Sequence, residues 1–163
     1  MNAALGSAAV VLGLAASVVG AGAMAVALAK DRKDLLRSSR NYALLILLAA
    51  VVAVLVMERA LITRDFTVGY VAENGSSRTP ALYNVATLWA ALEGSILLWV
   101  LVLAGYTVAV VRKFRDRLTD PLVGWAMLTL FVVAAFFFGL MAGPADPFAC
   151  LLYTSDAADD KPK

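Results

Sequence analysis

The stretch YALLILLAAVVAVLVMERAL, residues 42–61, decides the fold of this chain. No charged residue occurs between Tyr42 and Met57. An apolar run of about 20 residues is what an α-helix needs to cross a hydrocarbon layer about 30 Å thick. Because backbone groups in lipid must satisfy their own hydrogen bonds, we expect this run to be a membrane-spanning helix.

Three more apolar runs lie around it, at residues 5–29, 85–111 and 121–142. The whole chain is 62% hydrophobic and 16% charged, more apolar than a soluble core of 163 residues requires. No basic residue precedes the first run, which also exceeds the roughly 7–15 residues of a signal-peptide core, so we expect it to be retained. The sequence therefore predicts an all-α, polytopic membrane protein with four transmembrane helices.

The basic residues of the short loops predict the orientation of these helices. They cluster after the first and third runs, as Lys30, Arg32, Lys33, Arg37, Arg40, Arg112, Lys113, Arg115 and Arg117. The longer middle loop has only Arg64 and Arg78. Since basic loops stay in the cytoplasm, we expect the amino terminus and the middle loop to lie outside.

The residue inventory excludes most ordinary enzyme mechanisms. The chain has no histidine, which is the commonest metal ligand, and its one cysteine, Cys150, allows no internal disulfide. A net charge of +2 gives no reason to expect a nucleic-acid partner. We assign no catalytic residue and no metal ligand.

Local signals predict where the helices begin and pack. Thr79 followed by Pro80 predicts that the third helix begins there and continues over residues 80–111. Asp120-Pro121 predicts the start of the fourth helix, and Gly143-Pro144 predicts its end. In the first run, small residues recur every four positions and predict close helix packing, with an alanine-rich composition as the alternative. They are Ala9, Gly13, Ser17, Ala21, Ala25 and Ala29.

The last residues, 150–163, differ in character from the rest and read CLLYTSDAADDKPK. The codons TGT CTC TTA TAC ACA TCT encode Cys-Leu-Leu-Tyr-Thr-Ser and resemble a transposon end used in sequencing libraries. Reading on through the adapter reproduces the residues up to Asp159. We therefore expect residues 1–149 to be the native transmembrane part and residues 150–163 to be a translated adapter, with a native polar tail as the alternative.

A paired motif carries a resemblance to a known family. The chain reads DFTVGYVAEN at residues 65–74 and WAALEGSILLW at residues 89–99. Together these resemble the first periplasmic loop and following helix of the CcmF/CycK/NrfE cytochrome c haem lyases, and the resemblance covers most of residues 2–149. The motif positions we take as characteristic are Asp65, Phe66, Tyr70, Asn74, Trp89, Glu93, Gly94, Ser95 and Trp99.

Two positions depart from the family pattern. Leu92 stands where many members have a histidine, so any role of that imidazole is absent here. Asp146, before Pro147 and Phe148, stands where the family has asparagine.

The resemblance implies a role in cytochrome c maturation at the bacterial inner membrane. It implies haem binding, haem transmembrane transport and attachment of haem to apocytochrome c on the periplasmic side. The implied partners are other cytochrome c maturation proteins, apocytochrome c, a haem chaperone and the lipid bilayer. Family members are much longer, and their haem-ligating histidines lie in later segments. We therefore expect this chain to be an amino-terminal fragment that is inactive as a haem lyase by itself.

The residues considered for haem contact are Trp89, Glu93 and Trp99. Counted from the edge of the third run, Glu93 lies about 12 Å deep, with Trp89 one turn before it on the same face. A helix–helix hydrogen bond or a shallower register is the alternative for Glu93. Trp89 fits an outer aromatic belt together with Tyr70 and Tyr83, and Trp99 fits helix packing.

Two other functions stay open from the residues alone. A transporter or channel unit would use a charge near the bilayer midplane, and Glu93 is the one residue that suggests it. A small structural membrane subunit is the third possibility.

Overall fold

The computed structural model describes residues 1–74, 86–89 and 91–150. Arg78, Thr79-Pro80, Tyr83 and residues 151–163, on which several of the predictions fall, lie outside this part of the chain. The α-helices with described bounds are α1 (Asn2–Ala29), α2 (Lys33–Ile62), α3 (Gly69–Asn74), α4 (Leu92–Lys113) and α5 (Pro121–Met141), and a short 3-10 helix covers Arg115–Arg117.

Four of these helices, α1, α2, α4 and α5, are long and apolar enough to cross a membrane. This confirms the predicted all-α membrane fold with four spans. The outward position of the amino terminus stays a prediction.

Helix α2 extends well before its apolar run. It begins at Lys33, because its polar first turns still bury Leu36 and Ser39 against the bundle. The prediction for α5 is confirmed at both ends. Asp120 accepts a hydrogen bond from the amide of Leu122 at 2.9 Å, Pro121 opens the helix, and the helix ends at Met141, just before Gly143.

The predicted continuous helix over residues 80–111 is wrong. Leu88 and Trp89 form a turn, and Ala91 is extended, with φ −127° and ψ 173°. Helix α4 therefore begins only at Leu92. The physical reason is tertiary: the hydroxyl of Tyr70 donates to the carbonyl oxygens of Thr87 and Leu88.

The spanning helices pack as neighbours in the order α1, α2, α4, α5, and α5 closes onto α1. The first turns of α1 and α4 thus share one end of the bundle with the last turns of α2 and α5. We call it the motif end, because residues 65–74, 89, 91–95 and 146–149 lie there. The opposite end, which carries the basic residues after α1 and α4, is the basic end.

Glycines on α1 lie against phenylalanine side chains of α5 and of the segment that follows it. A Cβ atom at Gly6 would collide with the ring of Phe148, and one at Gly13 with the ring of Phe138. At Gly20 it would lie 3.1 Å from Phe131. The three rings are at most 2% exposed, so the glycines form notches that the rings fill.

The four-residue stripe predicted on α1 is only partly correct. Ala9, Gly13 and Ser17 are buried, but Ala25 and Ala29 are exposed. At 3.6 residues per turn, positions four apart rotate by about 40° per step, and the stripe leaves the interface. The buried glycines are spaced seven apart, a repeat that drifts by only about 20°.

Candidate functional site

Asp65 organises the exit from α2 at the motif end. Its Oδ1 accepts hydrogen bonds from the hydroxyl of Thr67 at 2.5 Å and from the Thr67 amide at 3.3 Å. Its Oδ2 accepts from the side-chain amide of Asn2 at 2.8 Å. These bonds, led by the Thr67 hydroxyl, hold the pKa of Asp65 below its ordinary value, although burial acts against them. Asp65 thereby joins the start of α1 to the end of α2.

Tyr70 joins the short helix α3 to the turn that precedes α4. The side chain is 5% exposed, and its hydroxyl lies 2.7 Å from the carbonyl oxygen of Thr87 and 2.9 Å from that of Leu88. Burial raises the pKa of Tyr70, and the negative charge of Glu93 raises it further, against an opposing effect of the Ala91 backbone. Tyr70 is a buried tie between two segments, so its predicted place in an aromatic belt is wrong.

Gly94 makes this tie possible. A Cβ atom at Gly94 would collide with the carbonyl oxygen of Leu88 and with the hydroxyl of Tyr70. The segment that lies against Gly94 is therefore the turn before α4. Ser95 adds to the same arrangement, since its hydroxyl donates to the carbonyl oxygen of Trp89 at 3.3 Å.

The segment after α5 returns to this end and completes it. The amide of Gly69 donates to the carbonyl oxygen of Ala149 at 2.8 Å. Asp146 accepts a hydrogen bond from the amide of Phe148 at 2.9 Å. An asparagine side-chain oxygen accepts the same bond, so the departure from the family pattern at this position preserves the turn.

A small acidic cavity of about 120 Å³ lies where these segments meet. It is lined by Gly69, Tyr70, Glu73, Glu93, Asp146 and Ala149. Within the described ranges, no cluster of histidine, cysteine and carboxylate side chains is arranged to hold a metal ion. Three carboxylates around one opening favour a positively charged or hydrogen-bond-donating group over an anion.

The structure corrects the predicted depth of Glu93. The 12 Å estimate assumed that the helix begins before Trp89, but Glu93 lies in the first turn of α4. This position favours the shallower register, which stays a prediction. Trp89 belongs to the preceding turn, so it does not share a helix face with Glu93.

The aromatic candidates are not gathered into one site. Phe66, Trp89 and Trp99 are 45%, 49% and 63% exposed. Trp99 lines a shallow apolar groove of about 340 Å³ on the outer surface of α4 and α5, and its predicted role in helix packing stays a prediction. Tyr106 and Phe137 also line that groove.

Sequence reasoning missed several residues that build the motif end. Asn2, Gly69 and Phe148 each make a contact that ties the amino-terminal half to a distant segment. Phe148 had a usable signal, since it belongs to the Pro147-Phe148 piece of the resemblance. Asn2 had none, because a single polar residue before an apolar run is common at a helix start.

Comparisons with known proteins agree with the resemblance. The chain is 36% identical over 121 residues to the cytochrome c-type biogenesis protein CcmF of Escherichia coli (strain K12), which is 74% of this chain and 18% of that protein. It is 30% identical over 148 residues to the cytochrome c-type biogenesis protein CycK of Rhizobium meliloti (strain 1021), which is 91% of this chain and 22% of that protein. No family model matches the chain.

A solved structure has the same fold. The structure of the cytochrome c haem lyase CcmF superposes with a TM-score of 0.85 at 40% sequence identity, over 91% of this chain and 25% of that chain. The chain thus spans about a fifth to a quarter of the length of the proteins that it matches.

Proposed function

Most of this chain is homologous to the CcmF/CycK/NrfE cytochrome c biogenesis proteins, and from that premise we propose that it acts in cytochrome c maturation. The similarity to a haem lyase structure across nearly the whole chain carries this proposal. The activity of the whole protein is to bind haem and to attach the haem to apocytochrome c on the periplasmic face of the bacterial inner membrane. The partners are apocytochrome c, a haem chaperone and the other maturation proteins.

Within that function, we assign to the described helices the role of a scaffold. The supporting observation is that the characteristic residues mostly hold segments together at the motif end. Asp65, Tyr70, Gly94 and Ser95 each make or permit a contact between the loop after α2, the turn before α4 and the helices beside them. Side chains with this role hold the loops of the motif end in position for the other parts of the protein and its partners. They need not take part in catalysis.

The donor set of this chain does not fit an axially ligated haem. Histidine, the natural neutral ligand, is absent from the sequence. Met24, Met57, Met127 and Met141 are fully buried within the helix packing. We therefore derive no step through haem iron on these residues, and haem enters the proposal as the substrate of the whole apparatus.

The transporter or channel alternative loses its one supporting residue. It rested on a charge deep in the third span, and Glu93 lies in the first turn of α4. The acidic cavity beside it is bounded by loop residues of the motif end, such as Asp146 and Ala149, rather than by the middle of the bundle.

A chimera tests the proposed function. Residues 1–149 replace the matching segment of the Escherichia coli CcmF protein, in a strain that lacks its own copy. We expect the chimera to restore covalent haem in c-type cytochromes, measured by haem-peroxidase staining after denaturing electrophoresis. The matched control carries Gly94→Val, which collides with the Leu88 carbonyl oxygen and should lose the restored signal.

Immunoblotting of membranes separates function from accumulation in this test. A chimera that accumulates at the level of the native protein but leaves the cytochromes without haem would contradict the proposal. Equal haem staining of the chimera and its Gly94→Val variant would contradict the scaffold role.

We also propose that residues 150–163 are a translated sequencing adapter. The support is that residues 150–159 agree with the translation of the adapter sequence. Amplification and resequencing of the source gene across the Ala149 codon tests this directly. Genomic DNA that encodes Cys150 and the residues after it would overturn the proposal.

A further inference from the structure

We propose that the basic end of the bundle carries a binding site for one anionic phospholipid of the phosphatidylglycerol class. The site lies between α2 and α4, in two adjoining cavities of about 310 and 400 Å³. Both cavities are lined by Arg40, Arg115 and Leu118. In the sequence these basic residues indicate only the orientation of the helices. The fold brings them together around one groove.

The charge of the groove is strongly one-sided. Arg37, Arg40, Arg112 and Arg115 line it, and Asp116 is the one carboxylate among the lining residues. Asp116 lies 3.6 Å from Arg115, but the two side chains are 88% and 79% exposed, and an exposed pair of this kind contributes little. Within the described part of the chain, no carboxylate lies within salt-bridge distance of Arg37, Arg40 or Arg112.

The groove pairs this charge with an apolar wall. Ala43, Val108 and Val111 form a buried floor, at most 5% exposed, and Leu44 is 41% exposed beside them. On α2, Ala43 lies about 4.5 Å along the helix axis from Arg40, and on α4, Val108 lies about 6 Å from Arg112. The arginines and the apolar residues are thus separated by about one helical turn along the bundle. This separation matches that between the phosphate of a phospholipid and the start of its acyl chains.

This geometry favours a lipid over a free phosphate ion. A free phosphate needs the guanidinium groups but makes no use of the apolar wall. Arginine forks bind phosphate oxygens in a bidentate manner, and basic pockets between membrane helices are suited to anionic headgroups. A zwitterionic lipid brings an ammonium group toward the arginines, so the site should discriminate against phosphatidylcholine.

Native mass spectrometry of the purified full chain in detergent tests the proposal. Titration with palmitoyl-oleoyl-phosphatidylglycerol should give a one-lipid adduct at concentrations where palmitoyl-oleoyl-phosphatidylcholine gives little. At about 1 kcal/mol for each arginine near a lipid phosphate, Arg40→Gln should weaken the apparent affinity roughly 5-fold. By the same constants, Arg40→Gln with Arg112→Gln should weaken it roughly 25-fold.

The control variant combines Lys33→Gln with Arg117→Gln. It removes the same charge from the same end of the bundle, at residues that line neither cavity. We expect its affinity to stay within about twofold of the unmodified chain, since both side chains are exposed, line neither cavity and are screened by salt. Equal weakening in both double variants would overturn the site and leave only a general charge effect.

A competition arm distinguishes the two sources of phosphate. Inorganic phosphate at millimolar concentration should leave the phosphatidylglycerol adduct in place. Displacement of the lipid by phosphate would overturn the lipid assignment, and equal retention of phosphatidylglycerol and phosphatidylcholine would overturn the anionic preference. Circular dichroism of each variant confirms its helix content, which exposed arginine substitutions should not change.

Discussion

The hydroxyl oxygen of Tyr70 lies 2.7 Å from the carbonyl oxygen of Thr87, across a sequence distance of 17 residues. This hydrogen bond, together with the one to Leu88, decides where α4 begins. In a longer helix, the carbonyl oxygens of Thr87 and Leu88 would accept hydrogen bonds from backbone amides four residues later. Here they accept from the hydroxyl of Tyr70, and the missing side chain of Gly94 leaves room for this arrangement. One side chain of the loop after α2 thus sets the start of the third span.

Replacing Tyr70 with phenylalanine removes this tie and should destabilise the bundle. The two carbonyl oxygens lose their donor while the ring stays in place, and the expected loss is about 1–2 kcal/mol. Thermal unfolding in detergent, followed by circular dichroism, measures it. Tyr106→Phe is the matched control, because Tyr106 is 68% exposed and should tolerate the change. An unchanged unfolding midpoint in Tyr70→Phe would contradict the role of the hydroxyl.

Two glycines of α4 should respond to alanine with opposite signs. Gly94→Ala places a methyl group against the Leu88 carbonyl oxygen, and such overpacking costs about 1–3 kcal/mol. Gly105 has no atom within 4 Å of its ideal Cβ position, so Gly105→Ala should stabilise the helix by about 0.5–1 kcal/mol. The same unfolding assay compares them, and the expectation fails if both variants shift in the same direction.

The raised pKa of Tyr70 predicts a stability loss at alkaline pH. Its folded pKa lies above the unfolded value of about 10, because burial and then Glu93 disfavour the phenolate. The folded chain therefore holds this proton more tightly. The protonated hydroxyl of Tyr70 makes its full contribution to the free energy of unfolding below about pH 10. This contribution is lost as the pH rises toward the folded pKa.

Unfolding midpoints of the unmodified chain and of Tyr70→Phe, measured from about pH 8 to pH 11, test this sign. The difference between the two proteins should shrink above about pH 10, since only the unmodified chain can release this proton. A difference that stays constant over the whole range would show that Tyr70 does not titrate in the predicted way.

The notch at Gly13 should be sensitive to the size of its partner ring. Gly13→Ala collides with Phe138, which is fully buried, and should cost about 1–3 kcal/mol. Adding Phe138→Leu makes room for the new methyl group and should recover part of the loss. Gly22→Ala is the control on the same helix, since no atom lies within 4 Å of its Cβ position. A double variant less stable than both single variants would argue against this contact.

The number of spans and the fourth helix could be predicted because they depend on local signals. An apolar run of sufficient length must become a helix in lipid, whatever surrounds it. The cap at Asp120 and the proline that follows act within one turn. The start of α4 could not be predicted in this way, because a tyrosine about 20 residues earlier competes for its first carbonyl groups.

The candidate site also contains some features that depend on local sequence and others that depend on distant contacts. The paired motif pointed to Tyr70, Glu93 and Gly94, and the fold brings these three residues together. The predicted depth of Glu93 was counted along a helix that does not continue before Leu92, so the count loses its starting point. The contact of Asn2 with Asp65 joins two helix ends, and nothing in either local sequence indicates the other.

The seating of Phe131 and Phe138 in the notches of α1 also has a consequence for biosynthesis. The notches are made first, and the rings that fill them emerge more than a hundred residues later. At about 5–20 residues per second, α1 waits on the order of 10 s with its glycine face uncovered. The contact between α1 and α5 therefore cannot form until the ribosome has made α5. An insertase or a neighbouring protein that shields this face during the delay would aid assembly without touching the finished structure.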